Sequence, residues 1–278
     1  TAILALQNGE VDAYQMTPQQ VKKLDLDASN LTAYSYTEGR VGYLQINCNR
    51  VTDENVRKAL LFAMDRKAMD DAAFESDEYY SIPYTFLPTN SQFYTEDGVE
   101  KYEQDVDKAK SMLEEAGVSG LKLKLGYISS DAVQSAQEQL QEVGVTVELA
   151  GGDGTAIANA MKDPDNEYDM YLGGYIMGID PDTFSSLFEN DGAYNYMHYS
   201  GYDTIDQLFE EGRSELDESA RKETYAKLQA AVQDTGAFYP IISNNKILVV
   251  NNRIQGVEDA GLVPVYTFED TSSLKIAE

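Results

Sequence analysis

The sequence predicts an α/β fold, and three observations support this prediction. Residues 121–149 form a strand-like alternation of apolar and polar residues, then a helical segment with one apolar face, then a second strand-like segment. Strands joined through a helix in this way are expected to lie parallel, with a right-handed crossover. The 278 residues are 42% hydrophobic, which is enough to bury a core. No apolar run approaches the roughly 20 residues that a membrane helix needs.

Capping and turn residues set the limits of the elements predicted in the first half of the chain. Pro18 fits the first turn of a short helix. Thr52 or Asp53 can cap a longer helix in which apolar residues recur at helical spacing. Asp105 opens a further helix, and Gly117 ends it. The predicted order is a helix at about 18–24, a strand at 41–46, a helix from 53 to about 73, a Tyr- and Pro-rich loop at 79–88 and a helix at 105–116.

The second half continues the alternation of strands and helices. Ser130 is expected to cap a helix with one apolar face, and Gly144 to stop it. The predicted order is a strand at 121–125, a helix at about 131–143, a strand at 145–149, a turn at 151–154, a short helix near 157–161, a strand near 168–172, helices at 203–211 and 217–234, and strands near 239–242 and 247–250.

The charge is strongly negative and unevenly distributed. The chain has 48 acidic and 21 basic residues, a formal net charge of −27. Residues 51–245 hold 38 of the acidic and 14 of the basic residues, so the two flanking segments are nearly neutral. Nucleic acid is excluded as a partner, because affinity for it comes mostly from Lys and Arg. A solvated surface explains the acidic segment, and an acidic cleft for a cationic ligand stays open as the alternative.

The motifs give little support for catalysis or for a cofactor. The sequence lacks the nucleophile, zinc-protease and phosphate-loop motifs. A single cysteine, Cys48, and a single histidine, His198, make neither an internal disulfide nor a Cys/His zinc site. The oxygen-rich segment 163–169 lacks the Gly and the distal Glu of a calcium loop. We therefore predict no catalytic residue, no metal site and no cofactor.

Tyrosine is unusually frequent, with 20 residues, whereas tryptophan is absent. The tyrosines cluster at the ends of predicted strands and in loops, at 79–84, 171–175 and 194–202. A Tyr side chain has a rigid apolar face and a polar tip, which suits the wall of a groove for a partly polar ligand. Ordinary half-buried tyrosines in a protein without tryptophan are the alternative.

Several short motifs follow one another in a distinctive order. The most specific is Asn55-Val56-Arg57-Lys58-Ala59-Leu60-Leu61-Phe62-Ala63-Met64-Asp65-Arg66. The others include Gly9-Glu10-Val11-Asp12, Tyr43-Leu44-Gln45-Ile46-Asn47, Asp107-Lys108-Ala109-Lys110, Leu113-Glu114-Glu115-Ala116-Gly117, Asp169-Met170, Gly174-Tyr175 and Asp180-Pro181-Asp182. Together they cover about residues 3–245. This set resembles the extracellular solute-binding proteins of ABC importers, in the peptide/nickel-type family (family 5).

The resemblance implies an α/β, class II periplasmic-binding-protein-like fold, in which two lobes joined by two crossing strands close on a ligand. Family members carry a long N-terminal part of lobe I that is missing here, so the chain is expected to be lobe II with remnants of lobe I. The expected division is a remnant of lobe I at 1–44, a hinge crossing at 45–49, lobe II at 50–242, and a second crossing with the C-terminal remnant of lobe I at 243–278. With one wall of the cleft, the chain is expected to bind its ligand weakly.

The resemblance also implies a function, which is capture of an oligopeptide or similar small solute for an ABC importer, without catalysis. An oligosaccharide-binding member of the same family is the alternative, and a carboxylate-based hydrolase is a rival from a different class. The partners would be the peptide or other small solute and an ABC permease in the membrane. We expect a monomer outside the cytoplasm, as a cell-surface lipoprotein or in a periplasm.

The resemblance places the candidate ligand site after the strand predicted near 168–172. Tyr175 stands where the family has a tryptophan. Peptide-binding members have an aspartate three residues later for the ligand's ammonium group, but Gly178 or Met177 stands there, so recognition of a free N-terminus is not expected unless Asp180 substitutes. Gly173 and Gly174 are expected to allow close approach of a backbone. The predicted ligand-binding residues are Tyr175, Met177, Asp180, Tyr196 and His198, and a purely structural role is the alternative for His198.

Overall fold

The structure, a computed structural model, describes residues 2–74, 79–128, 132–178, 180–264 and 266–277. Its helices are α1 (Ala2–Gln7), α2 (Pro18–Val21), α3 (Glu54–Phe62), α4 (Arg66–Phe74), α5 (Val106–Glu115), α6 (Val133–Glu142), α7 (Gly154–Met161), α8 (Ser185–Phe188), α9 (Tyr202–Ser214) and α10 (Glu218–Asp234). Its strands are β1 (Ala13–Met16), β2 (Leu31–Ile46), β3 (Tyr80–Ser81), β4 (Lys122–Tyr127), β5 (Thr146–Gly151), β6 (Met170–Ile176), β7 (Phe238–Asn251), β8 (Ile254–Gln255), β9 (Leu262–Val263), β10 (Thr267–Phe268) and β11 (Lys275–Ile276). Short 3-10 helices lie at Pro181–Phe184 and Thr271–Ser273.

Among the described residues, seven strands form one mixed sheet. Its order is β1-β7-β2-β6-β4-β5, and β3 pairs with β7 beside this path. β4 and β5 are parallel neighbours, and α6 connects them. β6 lies parallel to β4 on its other side and antiparallel to β2. The predicted parallel pairing of two strands joined through a helix is therefore confirmed.

β2 and β7 are long strands that pair with each other antiparallel. β2 extends well before the strand predicted at 41–46. The prediction of separate strands at 239–242 and 247–250 is wrong, because the polar residues between them continue the ladder with β2. These residues are Ser243, Asn244 and Asn245. Pairing with a neighbouring strand, rather than apolar alternation, maintains this part of β7.

The helix predicted from 53 to about 73 is two helices. Asp53 caps α3 as expected. α3 ends at Phe62, and Asp65 then caps α4, since its Oδ1 accepts a hydrogen bond from the N–H of Ala68 at 3.1 Å. A carboxylate that binds nearby backbone N–H groups competes with the helical ladder, so the chain breaks there although its apolar spacing continues.

Most other helix ends lie close to their predicted positions. Asp105 caps α5. Gly117 and Gly144 follow α5 and α6 with φ angles of 69° and 81°, in the left-handed region that suits glycine. The predicted cap Ser130 lies outside the described residues, and Ala132, at the start of α6, makes no side-chain cap. The sequence pattern does not predict α1, α8 or the 3-10 helix at 181–184.

Apolar side chains pack into separate clusters on the sheet. The first cluster packs α3, α4, α5 and α6 against one face, and the second packs α9, α10 and residues 184–188 against the other. Smaller clusters join residues 6–36 with residues 247–257. The division into lobe remnants at 1–44 and 243–278 and lobe II at 50–242 stays a prediction. No helix in the described ranges is both long and apolar enough to cross a membrane.

Candidate functional site

The C-terminal end of β6 has a free edge. β6 pairs with β2 from Met170 to Ile176, but with β4 only from Met170 to Leu172. Across the described ranges, no strand pairs with residues 173–176 on the side away from β2. Gly174 and Ile176 are exposed. An unpaired strand edge presents backbone N–H and C=O groups with which another extended chain can pair.

Backbone alternation determines which residues face this free edge. The N–H of Met177 donates to the C=O of Gly39 in β2 at 2.9 Å. In an antiparallel pair, alternate residues direct both backbone groups to the same neighbour, so Tyr175 also faces β2. Gly174 and Ile176 therefore direct their N–H and C=O groups to the free side. The edge offers two backbone donors and two backbone acceptors.

Aromatic side chains form a row on the face of the sheet that carries Tyr175. The ring contacts run from Phe184 to Tyr175, Tyr194, Tyr196 and Tyr171, with successive centroid distances of 5.4, 5.9, 6.5 and 5.0 Å. We call these five residues the aromatic row. Tyr194 is its exposed member, with 43% of its surface accessible. Half-exposed aromatic rings beside polar backbone groups suit a partly polar ligand.

Two hydroxyl groups of the aromatic row, those of Tyr171 and Tyr196, lie in surroundings that raise their pKa. Burial raises the pKa of Tyr171, and the Arg40 guanidinium opposes this shift. Burial also raises the pKa of Tyr196, and its tyrosine neighbours raise it further. The hydroxyl of Tyr175 accepts a hydrogen bond from Ser186 Oγ at 2.8 Å. With a raised pKa, the hydroxyl groups of Tyr171 and Tyr196 can donate hydrogen bonds but do not supply negative charge near neutral pH.

Tyr175 and Tyr196, two of the five predicted site residues, lie together on the aromatic row. Tyr175 is half-buried, whereas Tyr196 is 2% exposed. Met177, a third predicted residue, is 5% exposed and packs in the second core cluster with Phe184. Direct contact of Met177 or Tyr196 with a ligand would require neighbouring side chains to move. The ligand-binding role of the five residues stays a prediction.

Asp180 and His198, the other two predicted residues, make separate contacts. Asp180 is exposed, but both carboxylate oxygens accept hydrogen bonds from Nη2 of Arg221 at 2.8 Å, so it is not a free partner for an ammonium group. The Nε2 atom of His198 lies 2.9 Å from the carbonyl oxygen of Met161. His198 also lines a cavity of about 700 Å³ with Lys162, Asn190, Asn195, Tyr199 and Tyr202.

Gly173 and Gly174 leave room for two side chains of this protein, those of Tyr171 and Arg40. A Cβ atom at Gly173 would lie 2.4 Å from Cε1 of Tyr171, and one at Gly174 would lie 2.0 Å from Nη2 of Arg40. The space above these glycines is therefore occupied on one face by the Tyr171 ring and on the other by the Arg40 guanidinium. No motif or spacing in the sequence points to Arg40. The one signal for it is Gly174, and its position two residues from the partner of Arg40 becomes visible only when β2 and β6 are aligned.

Cys48 is poorly suited to nucleophilic chemistry. Burial raises the pKa of its thiol to about 11, and the charge of Arg57 opposes this shift. Because the thiolate is the reactive form, the thiol is a weak nucleophile near neutral pH. In the part of the chain that the structure describes, no group of three or more His, Cys, Asp or Glu side chains is arranged to hold a metal ion.

Comparisons with known proteins agree on one family. Residues 1–196 match the bacterial extracellular solute-binding proteins, family 5 middle region. The chain is 32% identical over 164 residues to the probable peptide ABC transporter periplasmic-binding protein of Sinorhizobium fredii, covering 55% of this chain and 31% of that protein. It is 25% identical over 281 residues to the oligopeptide-binding protein AppA of Bacillus subtilis, covering 90% of this chain and 50% of that protein. The chain thus spans half or less of the length of these curated relatives.

Solved structures share the fold over the entire chain. The ABC transporter substrate-binding protein CtaP of Listeria monocytogenes superposes with a TM-score of 0.90 at 37% identity, covering 100% of this chain and 58% of that one. AppA of Bacillus subtilis, solved in complex with a nonapeptide, superposes with a TM-score of 0.76 at 20% identity, covering 100% and 58%. The second likeness concerns the fold alone.

Proposed function

Because the chain belongs to the bacterial extracellular solute-binding proteins of family 5, we propose that it takes part in capturing an oligopeptide for an ABC importer, without catalysis. The resemblance and the α/β, periplasmic-binding-protein-like fold predicted from the sequence are confirmed. The proposed partners are a small peptide and an ABC permease in the membrane. The proposed location is outside the cytoplasmic membrane, where a family of this kind meets its ligands.

The observation that carries this proposal is the free edge of β6. An extended peptide can add to such an edge as a further strand, and its main-chain hydrogen bonds then supply affinity without regard to sequence. Gly174 and Ile176 offer the matching donors and acceptors. The half-buried ring of Tyr175 and the exposed ring of Tyr194 provide apolar surface for peptide side chains on the same face. This arrangement fits a peptide backbone better than a sugar, which has no complementary ladder of donors and acceptors.

We propose that residues 50–242 form lobe II and that the segments 1–44 and 243–278 belong to lobe I. The separate packing of residues 6–36 with 247–257 supports this division. β2 and β7 would be the two strands that cross between the lobes. The free edge of β6 would then form one wall of the cleft, and another part of the full-length protein would form the second wall.

We further propose distinct roles for the five predicted site residues. Tyr175 would contact the ligand, and Tyr196 and Met177 would support it from the buried side. Asp180 would fix the chain after β6 through its hydrogen bonds with Arg221, so it would not bind a peptide ammonium group. His198 would line the neighbouring polar cavity. The rival hydrolase needs two free carboxylates at the site, whereas Asp180 and Glu38 are each paired with a basic residue.

Calorimetry of the full-length protein with two ligand pools tests the proposed function. We expect saturable heat from a randomised pentapeptide pool and none from a pool of linear oligosaccharides at the same concentrations. Saturable binding of the oligosaccharides without binding of the peptides would contradict the proposal. Release of new free amino groups from the peptides would indicate cleavage of peptide bonds and would support the rival hydrolase function instead.

Replacing Tyr175 with alanine in the full-length protein is expected to weaken peptide binding by about 1–3 kcal/mol, the range for loss of a buried aromatic anchor. The matched control is Tyr175→Phe, which keeps the ring and loses the bond with Ser186. This control should bind within about threefold of the parent protein, because one hydrogen bond contributes about 1 kcal/mol or less when water can replace it. Titration calorimetry measures both. Unchanged affinity for Tyr175→Ala would remove Tyr175 from the site.

A further inference from the structure

Arg40 of β2 lies across β6 at the free edge. In the ladder it pairs with Ile176 of β6 and Asn244 of β7. Its guanidinium extends over Gly174, where a Cβ atom would lie 2.0 Å from Nη2 and 2.7 Å from Nε. A Cβ atom at Gly42 would lie 3.5 Å from Nη1. Gly174 therefore makes the room for this cation, whereas a Cβ atom at Gly42 would only touch it at an ordinary contact distance.

Arg40 has no carboxylate partner in the described part of the chain. With the described residues its side chain makes one hydrogen bond, from Nη1 to Oδ1 of Asn244 at 3.4 Å, which is long for such a bond. The neighbouring carboxylate of Glu38 is engaged by the amide of Asn244 and by Lys246, whose Nζ lies at 3.6 Å. Arg40 is thus a half-buried cation whose donors are largely unused.

The other six arginines of the chain are all satisfied by closer partners. Each pairs with a carboxylate or donates to backbone carbonyl groups; they are Arg50, Arg57, Arg66, Arg213, Arg221 and Arg253. Acidic residues outnumber basic ones by 48 to 21 in the whole sequence. Carboxylate groups are therefore abundant in this protein, yet among the described residues none pairs with Arg40.

We propose that Arg40 binds a carboxylate of the ligand, so that the substrates of this site are peptides with a carboxylate beside the residue that pairs with Gly174. A strand added at the free edge would lie about 4.8 Å from β6, and the guanidinium already lies above β6. Its planar fork presents parallel N–H donors that match the two oxygens of a carboxylate. The net charge of −27 repels anionic ligands in general, so a dedicated cation is needed to hold one here. This inference rests on the proposed function.

Three randomised pentapeptide pools test the inference with the full-length protein. The first pool lacks Asp and Glu and has a free C-terminal carboxylate, the second has the same composition but a C-terminal amide, and the third is an amide that contains Asp and Glu. Mass spectrometry of the bound fraction after gel filtration gives the relative affinity. We expect the first or third pool to bind at least about tenfold better than the second, which corresponds to about 1.4 kcal/mol. Preferential binding of the first pool would identify the C-terminal carboxylate of the peptide as the partner of Arg40. Preferential binding of the third pool would identify an acidic side chain as that partner.

Variants of Arg40 show whether the preference for a carboxylate comes from this side chain or from any positive charge near the site. Arg40→Gln is expected to abolish the preference for a carboxylate, and Arg40→Lys to keep part of it, because a charge remains without the fork. Lys246→Gln is the matched control, since it removes a nearby cation that is paired with Glu38, and it should leave the preference unchanged. Equal binding of all three pools by the parent protein, or an unchanged preference in Arg40→Gln, would overturn the inference while leaving peptide capture intact. Failure of every pool to bind would overturn peptide capture itself and the inference with it.

Discussion

Replacing Asp70 with asparagine is expected to flatten the dependence of stability on pH and to stabilise the protein in mildly alkaline solution. Asp70 in α4 is 1% exposed, and its Oδ2 atom has no hydrogen-bond partner among the described residues. Burial raises the pKa of its carboxyl from an ordinary 3.8 to about 8, although the charges of Arg66 and Lys67 oppose this shift. The neutral form is therefore the form that the folded protein accommodates.

The sign of this effect follows from the raised pKa. In the unfolded chain Asp70 loses its proton near pH 4, whereas in the folded protein it keeps the proton up to about pH 8. The free energy of unfolding should therefore be highest below about pH 4, as far as this group is concerned, and fall as the pH rises to about 8. Each pKa unit corresponds to about 1.4 kcal/mol, and relaxation around a buried charge reduces the total, so we expect a loss of about 2–4 kcal/mol.

Urea unfolding between pH 5 and pH 9 measures this prediction. The free energy of unfolding of Asp70→Asn should exceed that of the parent protein by less at pH 5 than at pH 9, because only part of the loss has occurred at pH 5. Asp71→Asn is the control, because this exposed neighbour pairs with Lys67 and Tyr80, which hold the pKa of its carboxyl below the ordinary value. Its removal should leave the alkaline loss of stability in place. Parallel pH profiles for Asp70→Asn and the parent protein would show that Asp70 is ionised in the folded state without cost.

Replacing Ile176 with proline is expected to weaken peptide binding by about tenfold to a hundredfold while leaving the fold in place. Proline removes the N–H that faces the free edge, and its ring blocks approach of a neighbouring strand. The ladder with β2 should survive, because an edge strand tolerates a proline whose N–H would face outward. A peptide carbonyl left without its donor in a closed site costs about 1–3 kcal/mol, which is the source of the expected loss.

Ile176→Ala is the matched control for the proline variant. It removes most of an exposed side chain but keeps the backbone N–H, so it should bind peptides within about threefold of the parent protein. Titration calorimetry with the pentapeptide pool measures the affinities, and thermal unfolding checks that the fold is retained. If proline and alanine reduce affinity equally, the side chain rather than the backbone of Ile176 contacts the ligand.

Local patterns predict most of this fold because its elements are bounded by local signals. Asp53, Asp105 and Gly117 act within one or two turns of the helices that they limit. The prediction fails where a partner distant in sequence decides the outcome. Asn244 lies in a polar stretch that resembles a loop, yet it continues β7 because Arg40 of β2 pairs with it. Such pairing leaves no trace in the periodicity of one strand.

The candidate site was less predictable for the same reason. The resemblance to the family directs attention to Tyr175, and the structure places that ring half-buried beside a free strand edge. The burial of Tyr196 depends on the ring of Tyr171, which packs against it edge-on at 5.0 Å. The position of the Arg40 guanidinium depends on Gly174, which belongs to a different strand from Arg40. A sequence read one segment at a time cannot bring these residues together.

Addition of an extended peptide to the free edge of β6 is tested most directly by backbone amide exchange measured by NMR. In the full-length protein saturated with the pentapeptide pool, the amides of Gly174 and Ile176 should exchange at least about tenfold more slowly than in the free protein, because each gains a hydrogen bond. The amide of Tyr175 serves as the internal reference, since it already faces β2. Unchanged exchange at Gly174 and Ile176, under conditions where calorimetry shows the peptide bound, would contradict this mode of binding.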